Sequence, residues 1–204
     1  MHYDLVVQPF GCDYDFIEDI CKNSESLYKI LECKISPKKM LPECLLLSPK
    51  SLLAKFFMRK RKMVYLGDLV EEVKRYFPDD LKKIILVILP HYVLGFGDGL
   101  AGLTPKPNLS IVSTYGIDEQ LLSKACVGIS LHEIGHILGL KHCRSEGCLM
   151  KSPCKPKNFS NGIYKFCEKH ENELMHMKMS VRLLLLQRLS EKDFRDFVEE
   201  TCRR

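Results

Sequence analysis

The sequence predicts an α/β fold, and three observations support that prediction. First, Ile84–Leu89 is a continuous apolar run that Pro90 ends, as is typical of a strand covered on both faces. Second, the short apolar run Leu5-Val6-Val7 predicts another strand, and a helical pattern follows it. Third, apolar residues recur at helical spacing from Asp118 to Leu138. Alternating strands and helices indicate an α/β domain with a mixed sheet.

The N-terminal half is predicted to begin with a strand followed by a helix. Pro9 ends the strand, and Asp13 is expected to cap the helix. We expect the helix to extend to Leu31, because apolar residues keep helical spacing up to that point. The elements expected next are a packed loop with three prolines at 36–49, a helix at 66–76 and the central strand at 84–89.

The C-terminal half is predicted to contain two more strands and three helices. The glycine-rich stretch Gly95–Gly102 is expected to form an irregular edge strand, since glycine permits bulges and the close approach of another backbone. Asp118 is the expected cap of the long helix. The remaining predicted elements are a strand at 110–114 and terminal helices at 171–189 and 191–201, the last capped by Ser190.

Length and composition indicate a single domain that spans residues 1–204. We divide it into a sheet and helix part at 1–139 and a C-terminal part at 140–204. With 46% hydrophobic and 28% charged residues, general disorder is excluded. No apolar run approaches the roughly 18 residues of a membrane span, and the N-terminal residues resemble no secretion signal. We therefore expect a cytoplasmic or otherwise intracellular protein.

A histidine motif carries the clearest chemical signal. His132 and His136 are four residues apart, which puts both imidazoles on one helix face. Gly139 permits the positive φ that ends a helix, so His142 can return to the same ion. Three neutral imidazoles suit a catalytic zinc, which keeps a fourth position for water. Glu133 lies about 100° around the helix from His132 and is the expected general base.

These residues resemble the metzincin zinc peptidases. His132-Glu133-x-x-His136-x-x-Gly139-x-x-His142 is the metzincin motif, and Cys143-x4-Cys148-x-Met150 is similar specifically to the archaemetzincins. The resemblance implies a metzincin-like fold, with a twisted mixed sheet behind the active-site helix and a zinc-clamped helical C-terminal part. It also implies that Met150 is the methionine of the turn beneath the metal, whereas without the motif it would be an ordinary core methionine.

The resemblance also implies a second, structural zinc. Cys143, Cys148 and Cys167 match three of the family's four cysteine ligands, but His170 stands at the fourth position. The spacing from Met150 to Cys167 is also one residue shorter than the family pattern. Histidine is a competent zinc ligand, so His170 is the expected fourth ligand and Cys154 is its rival. The alternative to this site is a group of free buried thiols.

The remaining cysteines show no ligand spacing and are expected to be free thiols: Cys12, Cys21, Cys33, Cys44, Cys126 and Cys202. Residues 50–62 carry a basic patch, which we interpret as a solvated helix face without assigned function.

The sequence therefore predicts a zinc-dependent peptidase with two zinc ions per chain. We expect a monomer that acts on a peptide or protein substrate, with no strong signal for nucleic acid and no membrane partner. The alternative is a non-enzymatic protein that uses both zinc ions for folding and binds a partner. Glu133 argues against that alternative, because a purely structural site needs ligands but no base.

Overall fold

A computed structural model describes residues 3–11, 13–46, 63–78, 83–96 and 101–176 of the chain. These residues form the strands β1 (Tyr3–Pro9), β2 (Leu31–Ile35), β3 (Met63–Tyr65), β4 (Lys83–Leu89), β5 (Tyr92–Leu94), β6 (Gly102–Lys106) and β7 (Leu109–Ser113). They also form the helices α1 (Ile17–Tyr28), α2 (Leu66–Tyr76), α3 (Leu122–Ile137) and α4 (Glu168–His176), with 3₁₀ turns at Glu43–Leu45 and Pro156–Phe159.

Five of the strands form a mixed sheet in the order β2-β1-β4-β7-β6. The first four of these strands are parallel to one another, and β6 runs antiparallel to β7. Strands β3 and β5 form a separate parallel pair. The predicted α/β fold with a mixed sheet is therefore confirmed, although the small β3–β5 sheet was not predicted.

Helices cover both faces of the sheet at its centre. On β4, Ile84, Leu86 and Ile88 face the core that includes α1 and α3. The alternate residues Ile85, Val87 and Leu89 pack into a second core with α2. This alternation explains why the β4 sequence is continuously apolar, as a strand buried on both faces requires.

The predicted boundaries of α1 are wrong at both ends. Asp13 does not cap the helix, because its carboxylate pairs with Lys38 and the helix begins only at Ile17. At the other end, Lys29 adopts a left-handed φ of 51° and stops the helix. Leu31 then begins β2, which pairs with β1 in parallel. Pairing with β1 thus overrides the helical spacing that extended the prediction to Leu31.

The predicted cap of α3 is also displaced by one turn. The Asp118 carboxylate accepts a hydrogen bond from the Gln120 amide at 2.8 Å, in a turn that precedes the helix. The helix begins at Leu122. A polar residue that caps a preceding turn gives the same sequence signal as a helix cap.

Several predictions fall wholly or partly outside the described residues. The predicted glycine-rich edge strand is described only from residue 101, and β6 follows from Gly102 with an irregular register between Leu103 and Lys106. Of the terminal helices, only the start of the first is described, as α4. The basic patch at 50–62 lies outside these residues. Among the described residues, no helix is both long and apolar enough to span a bilayer.

The expectation of free thiols is wrong for one pair of cysteines. Cys21 on α1 and Cys33 on β2 form a disulfide, with their Cα atoms 5.2 Å apart. The parallel β1–α1–β2 unit brings them together, and sequence spacing gives no sign of it. Cys44 and Cys126 are free, as expected, and burial raises the pKa of the Cys126 thiol to about 12. Cys12 and Cys202 lie outside the described residues.

Candidate functional site

Helix α3 carries His132 and His136 and ends at Ile137, five residues before His142. Gly139 adopts a φ of 80° just after the helix. The Gly139 amide donates to the carbonyl of His136, and the Leu140 amide donates to the carbonyl of Gly135. This is a Schellman arrangement, which needs glycine at the left-handed position. The chain therefore turns back toward the helix and brings His142 beside His132 and His136.

The three histidine rings converge through their Nε2 atoms. The Nε2 atoms of His132 and His136 are 3.0 Å apart, and His142 Nε2 lies 3.1 Å from each. His132 Nδ1 donates to the Leu149 carbonyl at 2.8 Å, and His136 Nδ1 donates to the Leu140 carbonyl at 3.0 Å. In a neutral ring that donates from Nδ1, Nε2 carries only a lone pair. The short contact between His132 and His136 is therefore not a hydrogen bond.

Burial keeps these two rings neutral. Desolvation lowers the pKa of His132 to about 3, and it lowers the pKa of His136 well below its ordinary value. Two facing lone pairs at this distance repel each other unless a cation lies between them. Carbonyl groups that fix ring orientation from behind are a common feature of histidine metal sites. The donor set fits one zinc ion, whose usual distance to histidine nitrogen is about 2.0–2.1 Å.

Glu133 lies beside the histidine cluster and is almost completely buried. Its carboxylate Oε2 accepts a hydrogen bond from the Thr104 hydroxyl on β6 at 2.7 Å. In the metal-free protein, burial raises the pKa of Glu133 to about 7, and the Thr104 hydrogen bond acts in the opposite direction. Glu133 is thus a buried carboxyl group held in place by a hydrogen bond.

Met150 packs against the histidine helix α3 at Gly135. A Cβ atom at Gly135 would lie 2.6 Å from Met150 Sδ and 3.2 Å from the Tyr28 hydroxyl oxygen. Tyr28 donates a hydrogen bond to the Leu131 carbonyl, one residue before the first histidine. Gly135 therefore allows the close approach of Met150 and Tyr28 to the underside of α3.

A second cluster brings together the four residues predicted for the structural zinc. The candidate ligand atoms of Cys143, Cys148, Cys167 and His170 all lie within 4.8 Å of one another. His170 Nδ1 is 3.3 Å from Cys148 Sγ and 3.4 Å from Cys167 Sγ. Cys148 and His170 are buried, whereas the other two are partly exposed. Three cysteines and one histidine form a donor set typical of structural zinc.

Cys154 does not join this group. It is partly buried against the core shared by α1 and α3. Burial raises the pKa of its thiol well above the ordinary value, and the charge of Glu133 adds to that effect. Of the two residues considered for the fourth position, the geometry therefore favours His170.

Comparisons with known proteins find similarity to a peptidase family. Residues 102–176 match the family described as Peptidase family M54. An archaemetzincin from Pyrococcus abyssi is 32% identical over 92 residues, which cover 37% of this chain and 44% of the relative. Archaemetzincin-2 from Mus musculus is 46% identical over 52 residues, covering 24% of this chain and 14% of the relative. Over these segments the chain is similar to the archaemetzincins. The resemblance indicated by its motif is thus confirmed.

Archaemetzincin structures also share the fold. A crystal structure of archaemetzincin from Methanopyrus kandleri aligns with a TM-score of 0.59 at 18% identity, covering 85% of this chain and 94% of that one. A zinc-dependent peptidase from Methanocorpusculum labreanum aligns with a TM-score of 0.58 at 18% identity, covering 84% and 99%. The predicted metzincin-like fold is confirmed. In sequence, however, the matched segments span less than half the length of these curated archaemetzincins.

The sequence analysis missed two residues that contact Glu133 or its neighbours: Thr104 and Ser110. The hydroxyl oxygens of Thr104 and Ser110 lie 2.8 Å apart, and both side chains are buried. A polar residue on the inward face of a strand was the available signal, because buried polar groups require partners. That signal could not be used without the position of β6 relative to α3.

Proposed function

We propose that this chain is a zinc-dependent peptidase whose catalytic zinc is held by His132, His136 and His142. The observation that carries the proposal is the mutual approach of the three Nε2 atoms to within 3.1 Å, with two of them fixed as lone-pair donors. The similarity to archaemetzincins and to a structure described as a zinc-dependent peptidase supports the same assignment.

Glu133 is the proposed general base. A bound zinc ion supplies Lewis acidity, lowering the pKa of water toward about 7 and polarising the peptide carbonyl. Glu133 accepts a proton from the attacking water and returns it to the leaving amine nitrogen. Its burial and its hydrogen bond from Thr104 support this role, because a base must hold a fixed position to transfer protons efficiently.

The second proposed zinc is structural and is held by Cys143, Cys148, Cys167 and His170. Its four donors leave no position open for a substrate. Because Cys143 directly follows His142, the two ions would constrain neighbouring residues of one segment. The Cys143 amide also donates to the Met150 carbonyl, which links this segment to the residue beneath α3. We therefore propose that the chain holds two zinc ions and that the structural ion stabilises the third catalytic ligand.

Strand β6 is the proposed binding edge for a peptide substrate. It pairs with β7 on one side, and in the described part of the sheet no strand pairs with its outer edge. An extended peptide can add to such an edge through backbone hydrogen bonds. Glu133 contacts the inward side of the same strand, so a peptide bound along it would lie close to the proposed base.

Removal and return of the metal tests the proposal. The purified protein is stripped with a chelator, checked for retained fold and assayed on a mixed peptide library before and after zinc is returned. We expect cleavage to disappear on stripping and to recover with zinc. Cleavage by fully stripped protein would contradict the proposal, as would inactivity of a fully zinc-loaded preparation across a broad library.

A further inference from the structure

We propose that the inward face of strand β6 positions the Glu133 carboxylate. It does so through the Thr104 hydroxyl and through Gly102, whose lack of a side chain leaves room for Glu133. This inference rests on the proposed peptidase function and extends it to two residues that are neither metal ligands nor proton-transfer groups. Gly102 and Thr104 are two residues apart on one strand, so they share a face. Both lie against Glu133.

The first contact is directional. Thr104 Oγ1 lies 2.7 Å from Glu133 Oε2, and both side chains are buried. A hydroxyl has one proton to donate, and a carboxylate only accepts. Thr104 therefore donates to Glu133, and a hydrogen bond to a charged acceptor is stronger than one between neutral groups. This bond restricts the rotation of the carboxylate about its last torsion.

Ser110 on β7 completes a short chain of hydroxyl groups. Its Oγ lies 2.8 Å from Thr104 Oγ1. Because the Thr104 proton is directed to Glu133, Ser110 donates to the Thr104 oxygen. The order of donation runs from Ser110 through Thr104 to the carboxylate. Strands β6 and β7 thus act together on a residue of α3.

The second contact is steric. A Cβ atom at Gly102 would lie 2.8 Å from Glu133 Oε1, 2.9 Å from Glu133 Cγ and 2.6 Å from Ile129 Cγ2. Any side chain at this position would push Glu133 or Ile129 away from the strand. Gly102 therefore allows the close approach that brings Glu133 within reach of Thr104. The two residues define the position of the base from one strand.

The test compares Thr104→Val, which keeps the shape of threonine and removes the hydroxyl, with Thr104→Ser, which keeps the hydroxyl. Thr114→Val is the matched control, because Thr114 loses a hydroxyl contact to Tyr14 and none to Glu133. Zinc content, kcat and KM are measured for each protein. We expect Thr104→Val to retain zinc, keep KM and lose about 10- to 100-fold in kcat, as for other residues that orient a reacting group. Thr104→Ser should recover most of the rate, and Thr114→Val should match wild type.

A double-variant comparison separates positioning from a general structural effect. In a Glu133→Gln background, Thr104→Val should cause little further loss of kcat, because the group on which it acts is already gone. A second readout needs no activity: the urea midpoints of the metal-free proteins. The shift for Thr104→Val with Glu133→Gln should differ from the sum of the two single shifts.

Several results would overturn the inference. They are an unchanged kcat in Thr104→Val, a loss of zinc in that variant, no recovery in Thr104→Ser, or fully additive urea shifts. If Thr104→Val does not fold, Ser110→Ala replaces it, with an expected loss of about 2- to 10-fold in kcat, and an unchanged kcat there overturns the inference. If Glu133→Gln itself keeps full kcat, the proposed base is wrong. A normal Glu133→Gln loss with unchanged Thr104→Val overturns only the role of β6.

Discussion

Gly135 and Met150 are in direct contact across the underside of helix α3. A Cβ atom at Gly135 would lie 2.6 Å from the Met150 sulfur. Met150 is completely buried. Its carbonyl accepts a hydrogen bond from the amide of Cys143, which directly follows His142. The distance between α3 and the segment that contains Met150 is therefore set by a glycine, Gly135, which directly precedes His136.

The first prediction follows from this contact. Gly135→Ala should lower the free energy of unfolding by about 1–3 kcal/mol, the usual cost of overpacking a core, and should reduce zinc occupancy at the histidines. Gly67→Ala on α2 is the control, because a Cβ there meets nothing within 4 Å. It should raise stability by about 0.5–1 kcal/mol. Urea unfolding and zinc analysis measure both variants, and equal effects would refute the packing argument.

The second prediction concerns the structural zinc. His170→Ala should release one of the two zinc ions more readily to a competing chelator, because it opens a site that needs four donors. Cys154→Ala should keep both ions, since its thiol lies outside the cluster. Chelator titration with zinc quantification reports the difference. The opposite ranking of the two variants would identify Cys154 as the fourth ligand.

The third prediction concerns the disulfide between Cys21 and Cys33. Closing a loop of this length stabilises a protein by about 3 kcal/mol in the chain-entropy model. Cys33→Ser should therefore lower the free energy of unfolding by roughly that amount, whereas Cys44→Ser, at an exposed free thiol, should leave it nearly unchanged. Peptide mass mapping without reductant should find Cys21 linked to Cys33. Two free thiols at these positions would contradict the structure.

The fourth prediction concerns acid. Metal-free protein should lose stability as pH falls below about 6.5, because the unfolded chain protonates His132 and His136 while the buried rings resist protonation. Glu133 opposes this, since its pKa is raised to about 7 and the folded state takes up its proton first. The loss of stability from two histidines is larger than the gain from one carboxyl group. Glu133→Gln should steepen the loss, and urea midpoints that rise on acidification would contradict it.

Local patterns predicted much of this fold. The apolar run of β4 and the histidine spacing on α3 are set by neighbours in sequence. The structure has a strand at the first position and a helix that carries both His132 and His136 at the second. Leu31 was assigned to a helix because its spacing fits one, while the decisive interaction is pairing between β1 and β2. Strands β3 and β5 are only three residues long and gave too little pattern to detect.

The candidate site divides in the same way. The histidines, Glu133 and the four donors of the second cluster are close in sequence or follow a family pattern, so they could be named in advance. Thr104, Ser110 and the Cys21–Cys33 pair depend on contacts between separate elements. Contacts between elements that are distant in sequence leave no spacing pattern, so they could be identified only from the structure.

The most direct test of the central claim is the activity of zinc-loaded Glu133→Gln against zinc-loaded wild type on one peptide library. Glu119→Gln is the control, because that side chain is exposed and is not part of the histidine cluster. With equal zinc content in all three proteins, the proposed mechanism predicts a loss of about 100- to 10,000-fold in Glu133→Gln alone. Equal cleavage by Glu133→Gln and wild type would contradict it.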